Sequence, residues 1–267
     1  MPRWEWIALA YVTYLALCAF ARPEFAKARG PGVLAAVASW AILPRLQGPD
    51  LPDFVRALLP LPVLLGGYWL SGAFFVRPMV HVEAALRRWD TTLIDGSGIG
   101  RRYRGAHAAV RDAFELAYLM AYPMVPLGAL TLVAGGRADH LDTFWATVLL
   151  AAFLAYGALP WIQTRPPRSL ERSADRAPAA TPVRRLNELV LGRASVQANT
   201  IPSGHAAAAL AVALGVAGAM PVAGALLGVL ALLIALATVL GEYHYAIDTM
   251  LGVLVAAVAT ALVALTG

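Results

Sequence analysis

The stretch Gly204–Leu265, GHAAAALAVALGVAGAMPVAGALLGVLALLIALATVLGEYHYAIDTMLGVLVAAVATALVAL, decides the fold class. It contains three apolar runs, 204–219, 222–240 and 245–265, joined by turns of a few residues, one of them marked by Pro221. A helix needs about 20 apolar residues to cross a bilayer. The stretch therefore reads as three membrane helices folded back on one another as tight antiparallel neighbours. Gly224 and Gly228 give the middle helix a small-xxx-small face, the pattern that lets two helix backbones approach closely.

Further apolar runs precede it at 5–21, 31–46, 55–77, 113–135 and 141–161. The second is short and holds Pro44, so it reads as re-entrant or poorly bounded. Composition agrees: 60% of the 267 residues are hydrophobic and 14% are charged, against about 25% charged in an average soluble domain. Mean hydropathy is +0.66. The expected fold is an all-α, polytopic integral membrane bundle. The opening segment has aromatic anchors and no small-residue cleavage site, so it reads as a retained span. The one cysteine, Cys18, lies inside that span and reads as a small packing residue. No basic domain or reader motif accompanies the net charge of +5, which excludes a nucleic-acid partner and leaves lipid head groups to explain it.

Two long polar stretches interrupt the apolar pattern. Residues 78–112 read as an amphipathic surface helix with Leu86, Trp89 and Leu93 on one side, followed by the glycine-rich turn DGSGIGRR. Residues 162–203 read as a loop carrying Arg165, Arg168, Arg172, Arg176, Arg184, Arg185 and Arg193, with the patch 177–182 as its tip. Counting helices back from the C-terminus puts both stretches on one membrane face. That face then holds seventeen of the 21 Lys and Arg residues. The excess of basic residues on cytoplasmic loops orients this face inward and both termini outward.

Ionisable groups at the edge of a bilayer are costly and mark function by default. Three clusters lie on the arginine-rich face. One is QTRPPRSLE, with Arg165 and Arg168. Another is NTIPSGHAA, where Ser203, Gly204 and His205 open an apolar helix. A helix start has unpaired N–H groups and the positive end of the macrodipole, which suit phosphate. The third is GEYHYAIDTMLG, where His244 and Asp248 stand four residues apart. An aspartate so placed accepts the Nδ1–H of the imidazole and leaves Nε2 as a nucleophile. Arginines that neutralise a phosphate and two histidines, one attacking and one protonating the departing oxygen, are the parts of a phosphoryl transfer.

The ordered set Arg165-Pro166, Pro202-Ser203-Gly204-His205 and His244-x-x-x-Asp248 resembles the type 2 phosphatidic acid phosphatase superfamily. The wording RRLNELVLGRASVQANTIPSGHAA and HYAIDTMLG looks closest to its branch of bacterial lipid phosphatases and inositol phosphorylceramide synthase-like phosphotransferases. The resemblance covers roughly residues 55–265. It implies a six-helix core over 55–267, with residues 1–54 forming about two extra helices outside it. It also implies catalysis without a metal or other cofactor, a phosphohistidine intermediate and a place in a bacterial plasma membrane. Carried over by position, His244 is the nucleophile, Asp248 its orienting partner and His205 the general acid. Arg165, Ser203 and Gly204 bind phosphate. The family's lysine seven residues before the arginine is Ala158 here, and its Ser-Arg six residues before the histidine is Ala237-Thr238. Arg168, or an arginine within 172–193, would have to stand in.

Other polar residues read more simply. Glu115, with Tyr118 and Tyr122 near, is a candidate for lining a polar cavity. Trp4, Trp6, Trp161, Tyr243 and Tyr245 sit at run ends and read as interfacial belt residues. His81, His107 and His140 read as solvated. The functional expectation is hydrolysis of a lipid phosphate. Its alternatives are transfer of a phospho-head-group to a polyol or lipid hydroxyl, and an inactive lipid-binding or scaffolding protein. A transporter would show inverted repeats and interrupted helices, and neither is evident.

Overall fold

A computed structural model describes residues 1–45, 51–170 and 181–266. Arg172, Arg176 and the 177–180 part of the expected loop tip lie outside the described residues. The helices are α1 (Arg3–Ala21), α2 (Ala26–Ile42), α3 (Asp53–Leu58), α4 (Leu61–Gly72), α5 (Val80–Asp90), α6 (Ile99–Arg104), α7 (Ala108–Leu119), α8 (Ala121–Ala134), α9 (Leu141–Tyr156), α10 (Pro182–Ala194), α11 (Gly204–Ala217), α12 (Pro221–Leu240) and α13 (Ala246–Leu265). Among the described residues, four spans are long and apolar enough to cross a membrane: 3–21, 53–72, 221–240 and 246–265. The bent pair α7–α8 is a fifth if taken as one. The protein is an all-α integral membrane bundle.

α9 and α11 occupy its centre. Alanines 206–209, 211 and 213 of α11 are buried, and α9 is buried on most of its circumference. A helix without a polar stripe belongs inside a bundle. The outer helices instead turn large apolar side chains outward, among them Leu226 and Leu232 of α12 and Met250 and Leu254 of α13. Water would reject such a surface, and lipid accepts it. Gly224 is where α12 meets α11, since a Cβ there would lie 2.4 Å from the Ala217 Cα; Gly228 has open space around it. Among the described residues, the first half of the small-xxx-small face alone is therefore in use.

α1 packs into the same apolar cluster as α9 and α11. The Tyr11 ring stacks on Phe153 with centroids 4.0 Å apart, and the Tyr14 hydroxyl donates to Gly157 O at 2.6 Å. Arg3 donates to Asp142 Oδ2 at 3.0 Å and to Val263 O at 3.4 Å. That gathers both chain ends at the face where α9 begins, opposite the ends that carry His205 and His244.

Several boundaries differ from the sequence reading. α2 begins at Ala26, five residues before the apolar run, and carries Pro31 inside it. The run 55–77 is split around Pro60 and Pro62 into α3 and α4. The run 113–135 bends by 56° between α7 and α8. Pro123 and Pro126 have no N–H to give to Leu119 and Tyr122, so the ladder fails there. On α5, Leu86 is buried while Trp89 is exposed, so the two do not share a face with one environment. Trp6 and Trp161 are exposed, but Trp4, Tyr243 and Tyr245 are buried in the interior and are not belt residues.

Candidate active site

Three segments are stitched together at one end of the bundle by main-chain hydrogen bonds. Asn199 N donates to Thr164 O at 2.8 Å, Arg168 N to Glu242 O at 3.0 Å and Ser203 N to Asp248 O at 2.8 Å. These bonds join the turn after α9, the approach to α11 and the start of α13. A Cβ on Gly252 would lie 2.5 Å from Ser203 O, so only glycine lets α13 pass this close to the turn before α11.

Within this knot His244 Nδ1 lies 3.2 Å from Asp248 Oδ2, and His244 Nε2 lies 3.3 Å from His205 Nδ1. Tyr118 OH approaches the other nitrogen, His205 Nε2, at 3.5 Å. Asp248 is fully buried and His244 nearly so. His205, His244, Gly204 and Arg168 line a cavity of about 160 Å³. Tyrosines 68, 118, 122 and 156 also line it, together with the apolar side chains of Leu61, Leu64, Leu65 and Val125. The Arg168 guanidinium sits 5.6 Å from the centroid of the Tyr243 ring, which itself stacks on Tyr118 at 3.7 Å.

The remaining candidates are placed otherwise. Ser203 is the N-cap of α11: its Oγ accepts from Ala206 N at 3.4 Å, and it does not line the cavity. The Gly204 N–H is already given to Thr200 Oγ1 at 3.2 Å. Arg165 is not brought to the cavity. Its Nε and Nη2 donate to the two oxygens of Glu83 at 3.1 and 2.8 Å, and its main-chain N donates to Glu83 Oε1 at 2.8 Å. Burial pushes the Glu83 carboxyl upward, but these hydrogen bonds and the Arg165 charge outweigh it and hold Glu83 below its usual range. Glu115 is buried away from the cavity and accepts from Arg184, Asn187 and Tyr243.

Two residues not singled out from the sequence shape the site. Asp90 ends α5 and accepts from Ala246 N at 2.8 Å, capping α13. Burial, with the negative charges of Asp248, Glu242 and Asp95, pushes its carboxyl up to about 7. Asn199 donates to Asp248 Oδ2 at 2.7 Å. The aspartate before Thr91 has no apolar periodicity to mark it. Asn199 sits at the head of NTIPSGHAA and was legible only as part of a polar run.

The arrangement can present an imidazole Nε2 to an electrophile, hold it in one tautomer through Asp248, and set a second imidazole and one guanidinium beside it. In-line attack needs the nucleophile about 3–3.5 Å from the reacting atom and the acid about 3 Å from the departing oxygen. The two nitrogens must then be roughly 6 Å or more apart. At 3.3 Å the rings touch, so a bound phosphate would part them. Among the described residues no three His, Cys, Asp or Glu side chains converge as a metal site.

A family model described as the PAP2 superfamily matches residues 85–262. The match begins inside α5 and takes in all three segments of the knot. No curated protein matches the chain, and no solved structure does.

Proposed function

The chain belongs to the PAP2 superfamily, the type 2 phosphatidic acid phosphatases and their relatives in phosphatase-type phosphoryl transfer, and from that premise we propose that it hydrolyses a lipid phosphate at one face of the membrane. His244 Nε2 attacks phosphorus, the bond from phosphorus to the lipid oxygen breaks, and His205 in its cationic form gives that oxygen a proton. Neutral His205 then takes a proton from water as the water attacks the phosphohistidine, releasing phosphate and restoring His244. Asp248 orients His244 throughout.

Arg168 supplies the charge that holds the phosphate, and Gly204, where a Cβ would meet the Tyr156 ring at 2.3 Å, lets that tyrosine close against the start of α11. Ser203 acts by capping that helix. Arg165, occupied by Glu83, holds α5 over the site. The observation that carries this reading is the contact of two imidazoles, one backed by a buried aspartate, in a cavity that Arg168 and several leucines also line. A phosphate suits the imidazoles and Arg168, and the first carbons of a lipid chain suit the leucines. The basic-residue asymmetry supports a cytoplasmic orientation for this face, in a bacterial plasma membrane.

The test is turnover by the purified full-length protein, with chelator present. The substrates are phosphatidate, prenyl monophosphate, prenyl diphosphate and phosphatidylglycerol phosphate. Release of inorganic phosphate from at least one, lost in His244→Ala and His205→Ala, is expected. No turnover of any, or turnover abolished by chelator, would overturn the metal-free lipid phosphatase. Product analysis of radiolabelled lipid phosphate with and without inositol separates water from an alcohol as acceptor.

A further inference from the structure

Asn199 is 1% exposed. Its main chain forms an antiparallel bridge with Thr164, and its side-chain Nδ2 has two acceptors, Asp248 Oδ2 at 2.7 Å and Thr164 Oγ1 at 3.2 Å. The same Asp248 Oδ2 is the atom that faces His244 Nδ1. The other carboxylate oxygen, Asp248 Oδ1, is buried with no partner among the described residues. Amide orientation follows from the chemistry, because the flipped side chain would press two acceptor oxygens together at 2.7 Å.

We propose that Asn199 is a positioning residue for the proposed nucleophile, acting through Asp248; this rests on the reading of His244 above. A carboxylate's terminal torsion is broad, and Asp248 Oδ1 has no hydrogen bond among the described residues to fix it. The helix does not set the angle either. His244 precedes the first residue of α13, Ala246, so the four-residue spacing to Asp248 is not a helical one. The Asn199 N–H pins Oδ2. The imidazole then keeps its Nδ1–H on the aspartate and its Nε2 lone pair on the cavity. Thr164 anchors Asn199 in turn, so the position of the loop after α9 is passed to one carboxylate oxygen. Loss of that hydrogen bond slows the chemical step while leaving the phosphate-holding groups in place.

The test uses full-length protein in detergent with a short-chain phosphatidate. Asn199→Ala is expected to lower kcat about tenfold or more, as for a hydrogen bond to a charged group, with KM nearly unchanged. Asn199→Asp keeps the shape and replaces the donor with an acceptor, and is expected to lose at least as much. In an Asp248→Ala background, Asn199→Ala is expected to cost nothing further, because the group it acts through is gone. Wild-type kcat in Asn199→Asp would show that only filled space matters and overturn the proposal. So would an Asn199→Ala loss that multiplies on top of Asp248→Ala. If His244→Ala and Asp248→Ala leave turnover intact, the parent reading falls and takes this inference with it.

Discussion

Arg184→Met is expected to destabilise the protein by about 3–5 kcal/mol, the cost of breaking a buried ion pair by removing one partner. Arg184 Nη1 lies 2.9 Å from Glu115 Oε1, with side chains 4% and 2% exposed. Glu115 Oε2 accepts from Asn187 Nδ2 at 2.8 Å and from the Tyr243 hydroxyl. Those two neutral donors remain after the substitution, but neither cancels the charge. The loss therefore exceeds the roughly 1.5–3 kcal/mol of one hydrogen bond to a charged group. Adding Glu115→Gln to Arg184→Met removes the stranded charge and keeps an amide to meet Asn187 and Tyr243. The double variant is expected to be more stable than Arg184→Met alone. The assay is SDS-titrated unfolding in mixed micelles at fixed pH, followed by tryptophan fluorescence. Tyr243 precedes His244 and stacks on Tyr118, so kcat should fall with Arg184→Met as well. A single variant within about 1 kcal/mol of wild type, or a double variant less stable than the single, would mean that no charge is stranded at Glu115.

Arg168→Ala is expected to reduce kcat/KM by about 100-fold, as for loss of a charged donor to the transferring group, measured on the same short-chain phosphatidate; a change under threefold would move the phosphate elsewhere. Arg165→Ala is expected to act on the hold over α5, seen as faster proteolysis within 78–112, with a smaller effect on turnover. Asp90 has a carboxyl raised to about 7 by burial and neighbouring carboxylates. Its folded form prefers the proton, so its contribution to stability is full below about pH 4 and is lost as pH rises through about 7. Asp90→Asn keeps the acceptor for Ala246 N and should remove that loss, which unfolding titrations at pH 5 and pH 8 would detect. Gly252→Ala places a methyl against Ser203 O and should cost about 1–3 kcal/mol, with lower activity, since it parts α13 from the turn before α11.

Much of this architecture is written in apolar run length. The three C-terminal runs became α11, α12 and α13 within two residues at each end, because long uninterrupted runs bounded by Gly and Pro leave little freedom. The bend between α7 and α8 was also legible in Pro123 and Pro126, but run-based reading passes over prolines inside an apolar window. His205, His244 and Asp248 could be found because they stand in short polar clusters at the mouths of long apolar runs. Arg165 could not be assigned from local sequence, since its partner Glu83 lies 82 residues away on a separate helix. Tyr243 and Tyr245 read as belt residues because an aromatic at the end of a run looks the same whether it faces lipid or packs inward. Asn199 carries no spacing signal either: its acceptor lies 49 residues on, brought near only when three segments close into one knot.

Attack by His244 is tested by quenching the protein during turnover of a lipid labelled with phosphorus-32 and mapping the bound label. Acid-labile, alkali-stable phosphate is expected on the peptide containing His244, absent in His244→Ala and much reduced in His205→Ala, which lacks the acid for the departing oxygen. Label on any other residue, or steady phosphate release by His244→Ala, would contradict attack by His244.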